Sequence, residues 1–360
     1  MRAPLLILAA WAMQGTVAPP KVDYLFFVGS EGNDHIALVR FGPNGAKVDH
    51  QIKMGFNPTE PVGPHGLGVS PDGRYYYVST AHGTPEGSLW KYTTRGDTLV
   101  GRVELGLFPA TLQVTPDGAY VYVVNFNLYG DMITSSVSVV YTDGLTEIAR
   151  IPTCTMPHGS RLNASGTRHY SACMMDDMLV EIDARNLKVA RWFSVATGAE
   201  HGVTSRPTAM VPSTCSPTWA QPSPDGTKVW VACNKANDVV EIDVKKWTMT
   251  RRIPFGEGVY NLAVTHNGKL LIGTNKRGQS VSVVDLTTGK ELARIPTTRK
   301  VTSGVAVTPD DRYAFVTDEG IGSQPGTVDV IDLDALQKVA SIDVGPQAGG
   351  IDFWKTEQGP

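Results

Sequence analysis

A repeated phrase constrains the fold of this chain more than any other feature. Ser70–Ser79 reads SPDGRYYYVS, and Thr115–Val124 and Ser223–Ala232 keep its Pro-Asp-Gly turn, followed by alternating aromatic and β-branched residues. Weaker copies of the turn occur at 163–166, 265–268 and 308–311. The six turns are therefore separated by about 40 to 60 residues, which is the period of a small, repeated supersecondary unit.

Each turn joins two strand-like runs, and two further strand-like runs follow before the next turn. Val239–Asp243 and Val281–Asp285 are examples, with the alternating or apolar patterns of half-buried strands. Four strands per repeat at this period are typical of a β-propeller. Although the length of 360 residues could hold two domains, the repeat predicts one closed unit.

The number of repeats predicts an all-β, seven-bladed propeller of four-stranded blades. Six full cycles begin near Gly66, Ala110, Gly159, Trp219, Asn261 and Gly304. The first segment, Tyr24–Met54, lacks an inner strand, and the tail, Ala348–Trp354, looks like an inner strand with nothing after it. We expect the two ends to form one mixed blade, which would close the ring within a single domain over residues 19–360 and remove free sheet edges.

The N-terminus predicts export. Residues 1–18 combine one basic residue, a short apolar run and small residues near Ala18, which is the pattern of a secretory signal peptide. A buried or disordered N-terminal strand is the alternative. The rest of the sequence contains no apolar run of membrane-spanning length, and the formal net charge of −3 gives no basic footprint for nucleic acid. We therefore expect a periplasmic or secreted protein.

The ends of the second strands carry a resemblance to a known family. Tyr77–Thr80, Ile272–Asn275 and Phe315–Asp318, together with the Pro-Asp-Gly turns, resemble the YVTN-repeat family of seven-bladed propellers. The resemblance spans nearly the whole predicted domain. It implies the fold and says little about function, because the repeat encodes the packing of blades.

Histidines are concentrated on one predicted face of the ring, the channel mouth. This face holds the loops that enter the inner strands and those that join second to third strands. Five of the eight histidines map there: His35, His65, His82, His158 and His201. His65 and His158 stand in repeated Pro-His-Gly sequences. Because imidazole is the commonest metal ligand, His65, His82, His158 and His201 are the first candidates for a metal site.

Methionines add to this face, most densely within Cys173–Met178. Met174, Met175 and Met178 are candidate soft ligands which, with imidazole, suit copper better than zinc. Methionine also makes a pliable surface for a protein partner. His35, Asp176, Asp177 and Trp219 are further candidate ligand-binding residues. The alternative is that the methionines pack beneath loops and that the histidines are polar residues without a binding role.

Four cysteines bracket the inner and second strands of two neighbouring repeats. We expect Cys154 to begin blade 4 and Cys173 to end its second strand, and Cys215 and Cys233 repeat this arrangement in blade 5. In an exported protein this arrangement predicts Cys154–Cys173 and Cys215–Cys233 disulfides. A thiolate metal site with His158 or Met174 is the alternative. Between the two pairs lies a long insertion, 196–214, which we interpret as a binding loop on the mouth face.

The sequence leaves catalysis undecided. It has no nucleophile elbow, phosphate loop, dinucleotide fingerprint, haem-attachment pattern or His-x-x-x-His motif. Pro64-His65 and Pro157-His158 resemble a short stretch of the lactonase propellers, whose best-known members act on sugar-phosphate lactones. The mouth also resembles the propellers of copper and quinone oxidoreductases, which dock a cofactor or redox partner. Carboxylates near the mouth, including Asp318 and Glu319, are interpreted as structural.

The favoured function is therefore an exported binding protein. Its mouth would hold a metal ion, copper before zinc, or dock a periplasmic protein partner. A lactonase-like hydrolase, or an accessory propeller of a periplasmic oxidoreductase, is the alternative for the same face.

Overall fold

Each repeated turn is held by its own side chains. Ser70 Oγ donates to Asp72 Oδ1 at 2.6 Å and accepts from the backbone N–H of Tyr75 at 3.0 Å. Gly73 has a φ of 69°, in the left-handed region that glycine enters without strain. The same hydroxyl-to-carboxylate bond recurs in three later turns, at Thr115–Asp117, Ser223–Asp225 and Thr308–Asp310. The repeat is therefore an intrinsic hairpin signal.

A computed structural model describes residues 17–57, 59–82, 87–196, 202–203 and 212–358. Across these residues the chain forms seven antiparallel sheets, with one short 3₁₀ helix at Glu31–Asn33. Six sheets have four strands, and the fourth blade gains a short fifth. The predicted all-β, seven-bladed propeller is confirmed.

Blades 1 to 3 contain the first eleven strands and the last one. Their bounds are β1 (Val22–Ser30), β2 (His35–Gly42), β3 (Gly45–Lys53), β4 (Pro64–Val69), β5 (Tyr75–Thr80), β6 (Ser88–Thr93), β7 (Leu99–Glu104), β8 (Pro109–Val114), β9 (Tyr120–Asn125), β10 (Thr134–Tyr141) and β11 (Thr146–Thr155). Blade 1 is β29-β1-β2-β3, blade 2 is β4 to β7 and blade 3 is β8 to β11, where β29 is Ala348–Gln358.

Blades 4 to 7 follow in simple sequence order. Their bounds are β12 (Pro157–Leu162), β13 (Arg168–Cys173), β14 (Met178–Asp183), β15 (Lys188–Ser194), β16 (Gly202–Val203), β17 (Pro217–Pro222), β18 (Lys228–Cys233), β19 (Asp238–Asp243), β20 (Thr248–Pro254), β21 (Val259–Val264), β22 (Leu270–Asn275), β23 (Ser280–Asp285), β24 (Lys290–Pro296), β25 (Thr302–Val307), β26 (Tyr313–Asp318), β27 (Gly326–Asp332) and β28 (Gln337–Val344). Blade 4 is β12 to β16, and four strands each form blades 5, 6 and 7.

The ring closes by mixing the two ends of the chain, as predicted. β29 is the innermost strand of blade 1 and pairs antiparallel with β1, with Val28 opposite Ile351 and Phe26 opposite Phe353. Each innermost strand contacts the innermost strands of both neighbouring blades, so the seven surround a central channel. The position of every mouth residue follows from its place on these strands.

The apolar core lies between blades rather than inside any one of them. Phe26 of blade 1 stacks on Phe315 of blade 7, with ring centroids 3.7 Å apart. On the other side of blade 1, Phe27 stacks on Tyr76 of blade 2 at 4.4 Å. Because both faces of a blade are covered, its middle strands are apolar on both sides, which explains their continuous hydrophobic runs.

Both predicted disulfides are present, Cys154–Cys173 and Cys215–Cys233. One detail of the prediction is corrected. Cys154 lies at the end of β11, the outermost strand of blade 3, rather than at the start of blade 4. Cys173 ends β13, the second strand of blade 4, so the first disulfide ties blades 3 and 4 together.

The insertion 196–214 is described only in part. Gly202–Val203 adds a short strand to the edge of blade 4 by pairing with Trp192 and Phe193. Residues 197–201 and 204–211 of the insertion, and residues 1–16 of the predicted signal peptide, lie outside the described residues. No helix among the described residues is long and apolar enough to cross a bilayer.

Candidate functional site

Two rings of side chains surround the channel mouth. The second residue of each innermost strand forms one ring: His65, Ala110, His158, Thr218, Tyr260, Ser303 and Gly349. The residue directly after each second strand forms the other: Glu31, Ala81, Phe126, Met174, Asn234, Lys276 and Glu319. All but the two alanines line one cavity of about 480 Å³, hereafter the mouth cavity. This volume suits a small organic molecule.

Glu31 links two of the predicted histidines through one carboxylate. His65 Nδ1 lies 2.7 Å from Glu31 Oε2, and His82 Nε2 lies 2.9 Å from Oε1. Burial opposes the charge on Glu31, but the charges and hydrogen bonds of the histidines lower its pKa to about 2. The bond to Glu31 in turn raises the pKa of His82, against the effect of its burial.

His65 is oriented by this contact. Its Nδ1 is occupied by Glu31, whereas its Nε2 makes no hydrogen bond to any residue that the structure describes. An imidazole whose Nδ1 is held by a carboxylate has Nε2 available as a proton acceptor, which is the arrangement of a general base. His65 lines the mouth cavity and its side chain is 23% exposed, so a ligand can reach it.

His158 is held as a neutral imidazole. Its Nδ1 lies 3.0 Å from the carbonyl oxygen of Thr218, and its Nε2 lies 2.8 Å from the hydroxyl of Tyr260. Since a carbonyl can only accept, Nδ1 carries the proton and Nε2 accepts from Tyr260. Burial, with a smaller contribution from the charge of His65, lowers the pKa of His158 to about 3.

Lys276 supplies a cation beside this pair. Its Nζ lies 4.0 Å from the centroid of the Tyr260 ring and 2.8 Å from Glu319 Oε1. Burial opposes the charge, but Tyr260 and Glu319 outweigh it and raise the pKa of Lys276. Burial also raises the pKa of Tyr260, so its hydroxyl stays protonated at neutral pH. This wall of the cavity therefore offers one cation as a donor, beside a phenol whose proton is donated to His158.

The opposite wall is aromatic. Phe108 and Phe126 pack edge to face with centroids 5.6 Å apart, and Tyr129 extends this cluster toward solvent. Phe126 also contacts the His158 ring, at 4.8 Å. The mouth cavity is therefore apolar on the side of blade 3 and charged on the side of blades 6 and 7, which suits a ring-shaped ligand with polar edges.

The structure brings some predicted residues together and separates others. His65, His158, Met174 and Trp219 line the mouth cavity, and the rings of His65 and His158 are 6.2 Å apart. His82 adjoins it through Glu31. His35 begins β2 and bonds to the carbonyl oxygen of Asn33 instead. His201 lies outside the described residues.

The Cys173–Met178 run is largely structural. Met178 is 1% exposed in the core between blades 3 and 4, and Met175 packs with Met174 beneath the aromatic cluster. Asp176 accepts from the backbone N–H of Thr155 at 2.8 Å. Asp177 accepts from the N–H groups of Thr214 and Ser216, and so fixes the end of the insertion.

The predicted copper or zinc site stays a prediction. Among the described residues, no group of three or more His, Cys, Asp or Glu side chains is arranged to hold a metal ion. Both nitrogens of His158 are already hydrogen-bonded, so a metal at this ring would have to displace Tyr260 or the Thr218 carbonyl.

Sequence reasoning missed four polar residues of the site: Glu31, Tyr260, Lys276 and Glu319. The repeat could have identified them, because each occupies a repeat position that faces the mouth. Tyr260 occupies the same strand position as His65 and His158, and the other three occupy the position directly after a second strand. Glu319 was interpreted as structural but lines the cavity and pairs with Lys276.

No family model matches the chain. No curated protein sequence matches it either. Solved structures do. A periplasmic gluconolactonase of Pseudomonas aeruginosa superposes with a TM-score of 0.71 at 18% identity, covering 92% of this chain and 99% of the other. A putative 6-phosphogluconolactonase of Bacteroides uniformis gives 0.69 at 15%, with coverages of 92% and 99%.

Hydrazine synthase of Kuenenia stuttgartiensis is similar over a smaller part of the chain. It gives a TM-score of 0.62 at 22% identity and covers 78% of this chain and 79% of the other. At these identities the likenesses show the fold alone.

Proposed function

We propose that the mouth cavity hydrolyses a small lactone, with His65 as the general base. The observation that carries this proposal is the His65–Glu31 couple, which leaves Nε2 of His65 open toward a cavity that also holds Lys276 and Tyr260. The likeness to two lactonase structures concerns the fold. The argument for the reaction therefore comes from the residues of the cavity.

The reaction uses residues already in place. Nε2 of His65 accepts a proton from a water molecule as the water oxygen adds to the lactone carbonyl carbon. Nζ of Lys276 donates to the carbonyl oxygen as this oxygen gains negative charge. The ring carbon–oxygen bond then breaks, and the proton held by His65 passes to the leaving ring oxygen. The product is an open-chain hydroxy acid, and no oxidant or reductant is needed.

His158 acts as a positioning residue in this scheme. Because its Nε2 accepts from Tyr260, it fixes the phenol beside Lys276, and because burial keeps it neutral it adds no competing charge. The aromatic wall of Phe108 and Phe126 excludes water from the other side, which strengthens the electrostatic contacts in the cavity.

A panel of five- and six-membered lactones, assayed by acid release at constant pH, tests the proposal. We expect turnover of at least one lactone, and His65→Asn should lower kcat by about 10²- to 10⁴-fold. His82→Asn is the matched control, since it breaks a contact to the same carboxylate without removing the base. Failure of the whole panel, or equal activity of His65→Asn and wild type, would contradict the proposal.

A bound copper or zinc ion is the second candidate, because two imidazoles share the mouth. Elemental analysis of untagged protein after metal loading and desalting tests it. Near-stoichiometric metal that is lost in the His65→Ala/His158→Ala double variant would support the metal proposal. A docked protein partner at the same face likewise stays a proposal.

We also propose a periplasmic or secreted location. Two disulfides between neighbouring elements are typical of proteins that fold in oxidising compartments. Detection of the chain in an osmotic-shock fraction, with residues 1–18 removed, would support the location. Retention of the full-length chain in the cytoplasm would contradict it.

A further inference from the structure

A third ring lies deeper in the channel. It is formed by the fifth residue of each innermost strand: Gly68, Gln113, Arg161, Gln221, Ala263, Ala306 and Asp352. Arg161 is the one cation in this ring, and Asp352 is its one carboxylate. Neither residue takes part in the hydrolysis proposed above.

Arg161 has few partners. Its Nη1 donates to the carbonyl oxygen of Ser160 at 2.9 Å, and its guanidinium lies over the Trp219 ring, 4.3 Å from the centroid. No carboxylate in the described part of the chain is within ion-pair distance. Its half-buried side chain lines the mouth cavity, so the remaining N–H donors have nothing to bond but solvent or a ligand.

Asp352 does not neutralise this cation by contact. Its carboxylate accepts from the backbone N–H groups of Val69 and Phe353, at 2.7 and 3.0 Å. It acts on Arg161 only at longer range. Burial lowers the pKa of Arg161 to about 10, only partly offset by Asp352. The guanidinium is therefore still charged at neutral pH, in surroundings that disfavour the charge.

An unpaired cation in a half-buried position is costly unless something else requires it. Stacking on Trp219 fixes the plane of the guanidinium, which reduces the entropy lost when its N–H groups bind a ligand. The charge of Lys276 is paired with Glu319, so Lys276 is not an equivalent unpaired cation. A planar, pre-oriented guanidinium matches the geometry of a carboxylate or a phosphate.

We propose that Arg161 binds an anionic group, a carboxylate or phosphate, carried by the ligand of the mouth cavity. The inference deepens the proposed function, since it makes the substrate a lactone with an anionic substituent. It rests on that function only for the chemistry at the other end of the ligand. Binding of the anion itself can be measured without turnover.

Calorimetric titration with three sugars tests the proposal. Glucuronate carries a carboxylate at the end of the sugar where glucose 6-phosphate carries a phosphate, and glucose carries neither. We expect at least one of the anions to bind wild type about tenfold or more tightly than glucose. Arg161→Gln should abolish that preference, whereas Arg294→Gln, which alters an exposed arginine on β24, should keep it.

The two anions distinguish the sources of the negative group. Preference for glucuronate alone would identify a carboxylate site, and preference for glucose 6-phosphate alone would identify a phosphate site. If neither anion binds more tightly than glucose, or if Arg161→Gln keeps the preference, the inference is overturned. If the preference holds but no lactone is hydrolysed, only the proposed reaction fails.

The stability of the ligand-free protein gives a second readout. An arginine kept for binding should not stabilise the fold, so Arg161→Gln should melt at the same temperature as wild type or higher. A marked fall in melting temperature, matched by Asp352→Asn, would show that the two residues form a structural pair across the channel. That result would overturn the assignment of Arg161 to a ligand.

Discussion

Glu31 connects two histidines at the channel mouth, and this small network sets the local charge. Its carboxylate is 16% exposed and lies within 3 Å of both His65 and His82. The network therefore holds His65, the proposed general base, in one orientation. It also makes the stability of this part of the fold depend on pH.

The pH window follows from the two shifted groups. Because the pKa of Glu31 is lowered, its carboxylate stabilises the fold at pH values above 4.5, the ordinary pKa of the group. This stabilisation is lost as the pH falls toward 2. The raised pKa of His82 means that its protonated ring stabilises the fold below the ordinary value of 6.5. That stabilisation is lost as pH rises through the raised value. Both contributions are present between about pH 4.5 and 6.5.

Glu31→Gln should therefore lower the free energy of unfolding most within that window. We expect a loss of about 1.5 to 3 kcal/mol, the range for hydrogen bonds to charged groups, shrinking above and below it. Urea denaturation at a series of pH values measures the effect, with exposed Glu60→Gln as the control. A difference that is independent of pH would mean that the ionic contacts do not form.

The repeated turn is the feature at the scale of the element. Gly226 has a φ of 71°, and a Cβ added to it would meet no atom within 4 Å. Any cost of a side chain there is therefore conformational rather than steric.

Gly226→Ala should reduce the free energy of unfolding by about 1 to 2 kcal/mol, the cost of a left-handed conformation for a residue with a Cβ. Gly226→Asn should cost less, because asparagine tolerates this region. Equilibrium denaturation of the two variants measures the difference. Equal stability of Gly226→Ala and wild type would show that the turn does not need the left-handed residue.

The same turns explain what the sequence could and could not predict. Their local chemistry marks the strands, so blade number, ring closure and both disulfide pairings could be predicted. The histidines of the mouth could be predicted, but their partners could not, because Glu31 in blade 1 is distant in sequence from Tyr260 and Lys276 in blade 6, and only the closed ring brings them to one cavity. Aligning the repeats by strand position would have placed Tyr260 with His65 and His158. Met178 was predicted to lie in a loop at the mouth, but it begins β14 and is buried in the core between blades 3 and 4.

At the scale of the whole molecule, stability depends on contacts between blades. The Phe26–Phe315 pair is completely buried at the junction where blade 1 meets blade 7. Loss of one ring there would leave a cavity between two blades.

Phe26→Ala should destabilise the protein by about 3 to 5 kcal/mol, the usual range for a buried phenylalanine. Phe56→Ala, at a position that is 70% exposed, is the control and should change stability by less than about 0.5 kcal/mol. Thermal and urea denaturation measure both. A small effect of Phe26→Ala would contradict the packing of this junction.

Ring closure makes a further prediction. Deleting residues 348–360 removes the innermost strand of blade 1 and exposes the edge of β1. We expect the truncated chain to lose its cooperative thermal transition, and a peptide of residues 348–358 to restore it in part. Differential scanning calorimetry measures both effects. An unchanged transition in the truncated chain would show that closure by β29 is dispensable.

The central claim is that chemistry takes place in the mouth cavity, beside His65. A crystal structure with the non-hydrolysable lactam analogue of the best lactone substrate tests this claim most directly. We expect the analogue to lie between the side-chain rings of His65, His158 and Tyr260, with its carbonyl carbon facing Nε2 of His65. An analogue bound away from His65, or on the opposite face of the propeller beside the Pro-Asp-Gly turns, would contradict this claim.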